Sequence, residues 1–416
     1  MNRIAFLVNN EGIGDNRVVK TAEALAAMGA DCTVYGCSRE LDTARVIERA
    51  SVRYVVLPLR PRLLRGLAAG FFPQTAFWLR GPTDRIDDIE ATEPTYSETA
   101  TLQSLKVSKP ALVYSGLDNQ TEATAAQKKP EKLPPWKQAT RLLIITLRFI
   151  RHVCLLPVRI LQSKLHPRNS SLGVRAMLGN YLLTFQPLLN HSSYDVVYAH
   201  ELWMLESGAQ YRRAFPASML VYDSHELELH RNNDWTETAN RARTSYEARY
   251  IHQADRIVTV SHSIAEYMAQ TYGISQPGVL PNTPQEAKLV ELPAHRKLKA
   301  TLGLKSEVLA VYTGRVTIGR GLGQVLTAMT HIPNLHLATV GPRVPSVVSD
   351  LALQARELGL TDRIYFVDPV PPEQLVSLIS DADIAVVPIE NVCLSYYYSL
   401  PNKIFEAAMA GVPVLA

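Results

Sequence analysis

Short blocks of apolar residues alternate with amphipathic stretches along most of the chain. Arg3 to Asn9 is an apolar run that predicts a central buried strand. After NEGIGD, Asn16 to Met28 carries apolar residues at helical spacing, Gly29 closes that helix, and Cys32 to Cys37 supplies the next strand. Tyr54 to Leu59 predicts a third strand, and the pattern resumes at Asp195 to His200 (DVVYAH), Met219 to Asp223 (MLVYD) and Arg256 to Ser261 (RIVTVS). Helices are predicted over Thr236 to Gln253 and Ser263 to Thr271. In the second half, Val308 to Gly314, Leu335 to Gly341, Ile364 to Pro369 and Ile384 to Ile389 read as strands separated by helices, one of them over Gly321 to Thr330. The chain ends in a loop, helix and strand: Pro401 and Asn402 as the start, Ile404 to Met409 as a helix, Gly411 as its stop and Val412 to Leu415 as a strand. Strands apolar on both faces and alternating with helices predict an α/β fold with two doubly wound, Rossmann-like domains.

The pattern fails between about Pro61 and Ser171. Gly81 to Lys132 is rich in Thr, Ser, Glu, Lys, Pro and Ala, and is expected to be a flexible insertion unable to bury a core. Trp136 to Leu165 differs. At helical spacing Arg141, Arg148, His152 and Arg159 fall on one line beside a wide apolar arc that includes Leu142, Ile145, Phe149 and Val153, and Pro157 should kink or end the helix. Two readings stand: a segment docking on an anionic membrane surface, or a helix packed on the first domain with its arginines in water. GVLPNTP (Gly278 to Pro284) closes the first domain, and the Pro- and charge-rich stretch to about Arg296 reads as a linker, giving domains at 1–290 and 291–416.

Composition narrows the class. A chain of 416 residues with 47% hydrophobic content can bury two cores, and a formal charge of +4 leaves no nucleic-acid footprint at the level of the whole chain. Cys32, Cys37, Cys154 and Cys393 show neither metal spacing nor a pairing pattern, so they read as reduced thiols of a cytoplasmic protein. MNRIAFLVNN enters strand-type sequence without a signal-like apolar region, and no apolar run reaches the roughly 18 residues of a spanning helix. The expected location is cytoplasmic, peripheral at the inner face of the membrane if the basic segment docks there.

Candidate chemistry gathers where strands end. Gly12 and Gly14 lie in the first strand-to-helix loop, before Asp15; the GxGD word lacks the third glycine of a dinucleotide fingerprint, so no nicotinamide site is read. His200 and His225 each follow a strand, with Glu201 and Glu226 beside them as ring-orienting or capping groups. Arg315 and Arg320 share the loop after the strand ending at Gly314, where two cations can clamp a diphosphate. The helix start at Asn402 and Lys403 is a natural phosphate site, and Glu406, a turn further in, can accept hydroxyl hydrogen bonds from a ribose.

The words VYTGRVTIGRGL (Val311 to Leu322), DADIAVVPIE (Asp381 to Glu390) and LPNKIFEAAMAGVPVLA (Leu400 to Ala416), with DVVYAHELW and VYDSHE in the first half, resemble the retaining glycosyltransferases of family 4 (glycosyl transferases group 1). The resemblance spans most of the chain outside the insertion. It implies the GT-B fold, with two Rossmann-like domains facing across a cleft, and transfer of a sugar from a nucleotide-diphosphate donor to a hydroxyl acceptor, lipid-linked or part of a surface polysaccharide. His200 would be the active-site histidine, and Arg315 and Arg320 would stabilise the departing diphosphate. Gly14, Gly314, Asn402, Lys403 and Glu406 would bind the donor, with the backbone around Phe366 to Val370 receiving its base. Asp15 and His225 are acceptor-side candidates. The diphosphate itself would take the acceptor's proton on the same face, so neither a cofactor nor a metal is expected, and no Asp-x-Asp pair is read as a metal site.

Three departures stand out. Arg320 replaces the family's usual Lys. Where many members carry two glutamates flanking seven residues, Tyr398 occupies the first position before Glu406, and Glu390 would reach the sugar only through a rearranged loop over Asn391 to Ser399. The chain also stops at Ala416, where the family continues, which reads as a truncation. A sugar-nucleotide epimerase of the same architecture and a non-catalytic, donor-binding scaffold remain the alternative readings.

Overall fold

The computed structural model describes residues 2–59, 107–108, 170–189, 192–233, 235–284 and 297–416. The stretch Trp136 to Leu165, the linker after Pro284 and all of Gly81 to Lys132 except Val107–Ser108 lie outside the described residues.

The first sheet contains β1 (Arg3–Leu7), β2 (Asp31–Ser38), β3 (Arg45–Arg49), β4 (Val52–Pro58), β6 (Val196–His200), β7 (Met219–Ser224), β8 (Arg256–Thr259) and β9 (Gly278–Val279), in the order β3-β4-β2-β1-β6-β7-β8-β9. β1 pairs in parallel with β2 and β6, and β2 with β4. The chain therefore starts in the middle, winds out through β2 and β4, and restarts on the other side of β1 at β6. That reversal makes the C-terminal ends of β1 and β6 a switch point, where adjacent loops part and leave a crevice.

The second sheet repeats the scheme. β10 (Val308–Thr313), β11 (Leu335–Val340), β12 (Ile364–Val367), β13 (Ile384–Val386) and β14 (Val414–Leu415), with the two-residue β5 (Val107–Ser108), run in the order β14-β13-β10-β11-β12-β5. All its pairings are parallel except that of β5 on β12. Its switch point falls between β10 and β13, so the loop carrying Arg315 and Arg320 and the segment running into the last helix leave the sheet side by side. Strand residues alternate between two buried layers: Ala310 and Tyr312 pack on one face, Leu309 and Val311 on the other. Fully burying a side chain such as Leu309 or Val311 contributes about 1.5–3 kcal/mol.

Several elements were not expected, among them β5, β3 and a helix before β6. β3 returns antiparallel on β4 through Ala50 and Ser51, both left-handed at φ 48° and 62°. A two-residue turn of this hand is usually announced by Asn-Gly, and Ala-Ser carries no such signal. The helix Ser171–Leu189 begins where the insertion was expected to end.

By contacts the chain forms two compact units, residues 1–92, 122–222 and 233–255, and residues 93–121, 223–232 and 256–416. These are not the contiguous stretches 1–290 and 291–416, although, β5 apart, the strands of the two sheets do part between β9 and β10. The segment after β7 counts with the second unit because its side chains pack there.

Candidate functional site

At the switch point of the second sheet, side chains from β10 and the helix Asn402–Met409 close on one another. Lys403 and Glu406 are three residues apart on that helix and so share a face. Lys403 Nζ donates to the Tyr312 hydroxyl at 3.0 Å and lies 4.1 Å from the centre of its ring. The Tyr312 hydroxyl in turn donates to the Arg315 carbonyl at 3.0 Å, which ties the start of the cationic loop to the helix. Gly314, at φ +107°, leaves the room this needs, since a Cβ there would lie 3.2 Å from Lys403 Nζ. One turn on, Glu406 accepts a hydrogen bond from Thr313 Oγ1 at 3.0 Å.

These groups are held away from their ordinary charge states. Burial, and after it the like charge of Arg320, pushes Lys403 down to about 7, against the pull of Glu406. Burial raises Glu406, opposed by the Thr313 hydrogen bond and by Lys403. Arg320 lies over the Tyr396 ring at 4.6 Å, and its buried Nε has no hydrogen-bond partner among the described residues. Arg315 is exposed in the same loop. Glu226, from the VYDSHE word, also belongs here: burial raises it, and Arg231 (3.2 Å away), Arg320 and Ser395 counter that rise. Arg320 and Lys403 thus weigh on each other's charge, and an anion arriving between them would favour the charged form of Lys403.

Other expected donor residues divide. Pro401 caps the last helix without a side-chain hydrogen bond; Ile404 N turns back to the Pro401 carbonyl at 3.2 Å. The Phe366 side chain is wholly buried in the core, which leaves only its backbone for a ligand, and Val370 is half-buried against the cluster on the sheet's other face. Tyr398, at the position of the missing glutamate, is held by its carbonyl, which accepts from Ser261 Oγ at 2.9 Å. Glu390 accepts from Gln324 Nε2, and the loop expected to present it contains a short helix, Leu394–Tyr397. The chain does contain one Asp-x-Asp spacing in this unit, at Asp381 and Asp383, and an oxygen of each carboxylate is taken by the fold, although Asp381 Oδ1 is buried without a hydrogen-bond partner among the described residues. Asp381 Oδ2 accepts from Lys299 N at 3.0 Å, and Asp383 Oδ2 from Leu309 N at 2.7 Å and Lys299 Nζ at 2.8 Å.

At the first sheet's switch point, His200 ends β6 with its ring stacked on Tyr198 (5.2 Å) and Phe6 (5.8 Å). Complete burial drives it to about 3, with Asp15 raising and Arg17 lowering it, so the imidazole is neutral at neutral pH. It can exchange hydrogen bonds but is ill suited to carry a proton as a cation. Glu201, immediately after it, is left-handed at φ 65°, a strained conformation for a non-glycine residue. Asp15 is the N-cap of the helix Asn16–Ala27, accepting from Arg17 N at 3.1 Å, and Asn10 Nδ2 donates to its other oxygen at 3.2 Å. Gly12 is required by the turn, at φ +76° with Val34 where a Cβ would go, whereas a Cβ on Gly14 would meet open space. In the second unit, His225 Nε2 lies 3.8 Å from Asp223 Oδ2.

Sequence reasoning missed Tyr312, Thr313, Tyr396 and Glu226 as parts of the cationic site. Tyr312 and Thr313 stand within the VYTGRVTIGRGL word, and their position before Gly314 was the available signal; nothing local marked Tyr396.

A model described as Glycosyltransferase Family 4 matches residues 141–283, and one described as Glycosyl transferases group 1 matches residues 307–416. D-inositol 3-phosphate glycosyltransferase of Corynebacterium diphtheriae is 26% identical over 248 residues, covering 55% of each chain. Its namesake in Mycolicibacterium smegmatis is 27% identical over 233 residues, covering 54% of this chain and 52% of that one. The chain thus spans about half the length of the curated relatives it matches. Among solved structures, sucrose-phosphate synthase from Thermosynechococcus elongatus superposes with a TM-score of 0.59 at 17% identity, covering 100% of this chain and 80% of that one. Anabaena HepE, solved with UDP and glucose, does so at 0.50 and 16%, with the same coverage. The fold is the GT-B fold, and with family models on both halves the chain belongs to the family 4, group 1 glycosyltransferases.

Proposed function

We propose that the chain transfers a sugar, with retention of configuration, from a nucleotide-diphosphate-sugar donor to a hydroxyl acceptor in bacterial surface polysaccharide or glycolipid synthesis. The carrying observation is the cluster at the second sheet's switch point, where Arg320 and the half-buried Lys403 stand near Glu406. A diphosphate there relieves the repulsion between the two cations, and Glu406 is placed to accept from the ribose hydroxyls once they replace or join Thr313. As the glycosidic bond breaks, negative charge grows on the departing diphosphate, and groups already fixed by Tyr312 and Tyr396 stabilise it without reorganising. The diphosphate takes the acceptor's proton on the same face, while buried His200 stays neutral. No cofactor or metal has a part in this reading. Cytoplasmic placement, with the basic stretch Trp136 to Leu165 resting on the membrane, belongs to the same proposal; liposome co-sedimentation that weakens with salt and vanishes on its deletion supports it, and unchanged sedimentation refutes it.

The deciding experiment is a thermal-shift panel of nucleotide diphosphates and their sugars, followed by transfer assays with the nucleotide that binds. A selective shift lost in Arg320→Ala, with diphosphate release on adding acceptor, is the expected result. A shift without transfer moves the weight to a donor-binding scaffold, a reading favoured by Tyr398 in place of the first glutamate. Epimerised sugar without diphosphate release would make the chain an epimerase.

A further inference from the structure

Glu226 reaches the cationic cluster from a distant part of the chain. After β7 the backbone runs through Ser224 to Asn232, with one turn of helix at Glu228–His230. This strap belongs to the second unit and packs there on the short helix Leu394–Tyr397. Gly319 makes the meeting possible. At its φ of +78°, a Cβ would lie 3.1 Å from Val392 Cγ2, 3.2 Å from Tyr396 Cε2 and 3.5 Å from Asn232 Nδ2, so the loop after β10, the short helix and the strap converge on one glycine.

The strap is fastened along its length. Ser224 Oγ donates to the Glu226 carbonyl at 2.8 Å, and Arg231 pairs with both Glu226 (3.2 Å) and Glu228 (2.9 Å). Further along, the Tyr267 hydroxyl lies 2.7 Å from His230 Nε2, and the Tyr267 ring stands 6.3 Å from that of Tyr398.

The charged groups of the site follow one another in a row. Lys403 feels Glu406, on its own helix face, and Arg320. Arg320, lying over the Tyr396 ring, acts in turn on Glu226, whose carboxylate accepts a hydrogen bond from Ser395, the residue before Tyr396. A nucleotide-diphosphate-sugar has a linear order too: nucleoside, two phosphates, sugar. With the ribose at Glu406 and the diphosphate on Lys403 and Arg320, the sugar falls at the Glu226 end. Tyr398 brings no carboxylate there, and Glu390 is engaged by Gln324. Glu226 keeps 35% of its side chain exposed, so a ligand can reach it, and a carboxylate has acceptor capacity left after Arg231 and Ser395 are served. A sugar bearing its own carboxylate would meet a like charge at this point.

We propose that Glu226 is a specificity-determining residue for the donor, accepting hydrogen bonds from the hydroxyls of a neutral hexose or hexosamine ring and disfavouring a uronate. This deepens the transferase reading above and rests on it. The test is calorimetric titration of the full chain with UDP, GDP, UDP-glucose, UDP-N-acetylglucosamine, GDP-mannose, UDP-glucuronate and GDP-mannuronate. For the nucleotide that binds, Glu226→Ala should weaken the neutral nucleotide sugar about tenfold or more and the free diphosphate by less than about twofold. Glu226→Gln, which keeps the shape, should lose several-fold on the neutral sugar and narrow its advantage over the uronate. Glu228→Gln, which removes the other carboxylate on Arg231, should leave the ratio of sugar to diphosphate affinity unchanged. Equal losses for diphosphate and sugar, no loss in either Glu226 variant, the same loss in Glu228→Gln, or a wild type that binds uronate as tightly as neutral sugar would each overturn the proposal. A nucleotide whose binding needs Arg320 but whose sugar ignores Glu226 sinks this proposal alone, whereas a wild type that binds no nucleotide sinks the donor-site reading and this with it.

Discussion

The two switch points have the same topology and use their polar residues in opposite ways. At the first, the groups that looked chemical are absorbed by the fold: Asp15 caps a helix, and His200 is sealed among aromatic rings and kept neutral. At the second, Lys403 and Arg320 are held close to each other, and the nearby carboxylates Glu406 and Glu226 are themselves raised by burial. A group satisfied by its own chain gains little from a ligand. One held at a cost to its charged state gains when the ligand supplies the missing charge.

The comparison breaks most easily at Arg320. Arg320→Ala should weaken nucleotide-sugar binding by about 1.5–3 kcal/mol while leaving the melting temperature nearly unchanged, measured by calorimetry and thermal unfolding. An equal loss of stability and affinity would mean that Arg320 is structural, like Asp15. Asp15→Ala should show the mirror image, a loss of about 1 kcal/mol in stability through the lost N-cap with donor affinity intact.

Two pH effects sharpen the contrast. His200 falls from an ordinary value of 6.5 to about 3 on folding, so between those values the unfolded chain binds the proton and the native one does not. The native state therefore loses stability as pH falls below 6.5. His200→Phe should shrink the loss between pH 7 and pH 5.5 by on the order of 1 kcal/mol in denaturant titrations. Lys403 acts the other way with respect to a ligand. Near neutrality the free site is only partly protonated, and a bound diphosphate favours the charged form. Affinity for a nucleotide sugar should drop about threefold from pH 6.5 to 7.5, with proton uptake on binding, and Lys403→Arg should flatten that slope. A pH-independent affinity would show that Lys403 stays fully charged or stands clear of the phosphates.

Much of the architecture was legible because buried parallel strands must be apolar on both faces. The runs at Arg3 to Asn9, Val308 to Gly314 and Leu335 to Gly341 coincide with β1, β10 and β11 apart from a few terminal residues. β3 escaped because its turn uses Ala50 and Ser51, and the helix Ser171–Leu189 because it adjoins an insertion of different composition. For the site, Arg320, Lys403 and Glu406 were readable from motif words around a loop and a helix start. Their partners were harder to see: Tyr312 contacts a residue 91 positions away, and Thr313 one 93 away.

What the sequence determined by itself is therefore local: which segments are strands and helices, which loops carry charge, and which family the words belong to. Those follow from periodicity, turn chemistry and residue type, all set by near neighbours. Only the tertiary structure decided which charges are spent and which are poised, since burial and the approach of distant like and unlike charges set a group's protonation. It made His200 neutral, tied Asp15 to a helix and Asp383 to a strand, and left Lys403 titrating near neutral pH beside Arg320.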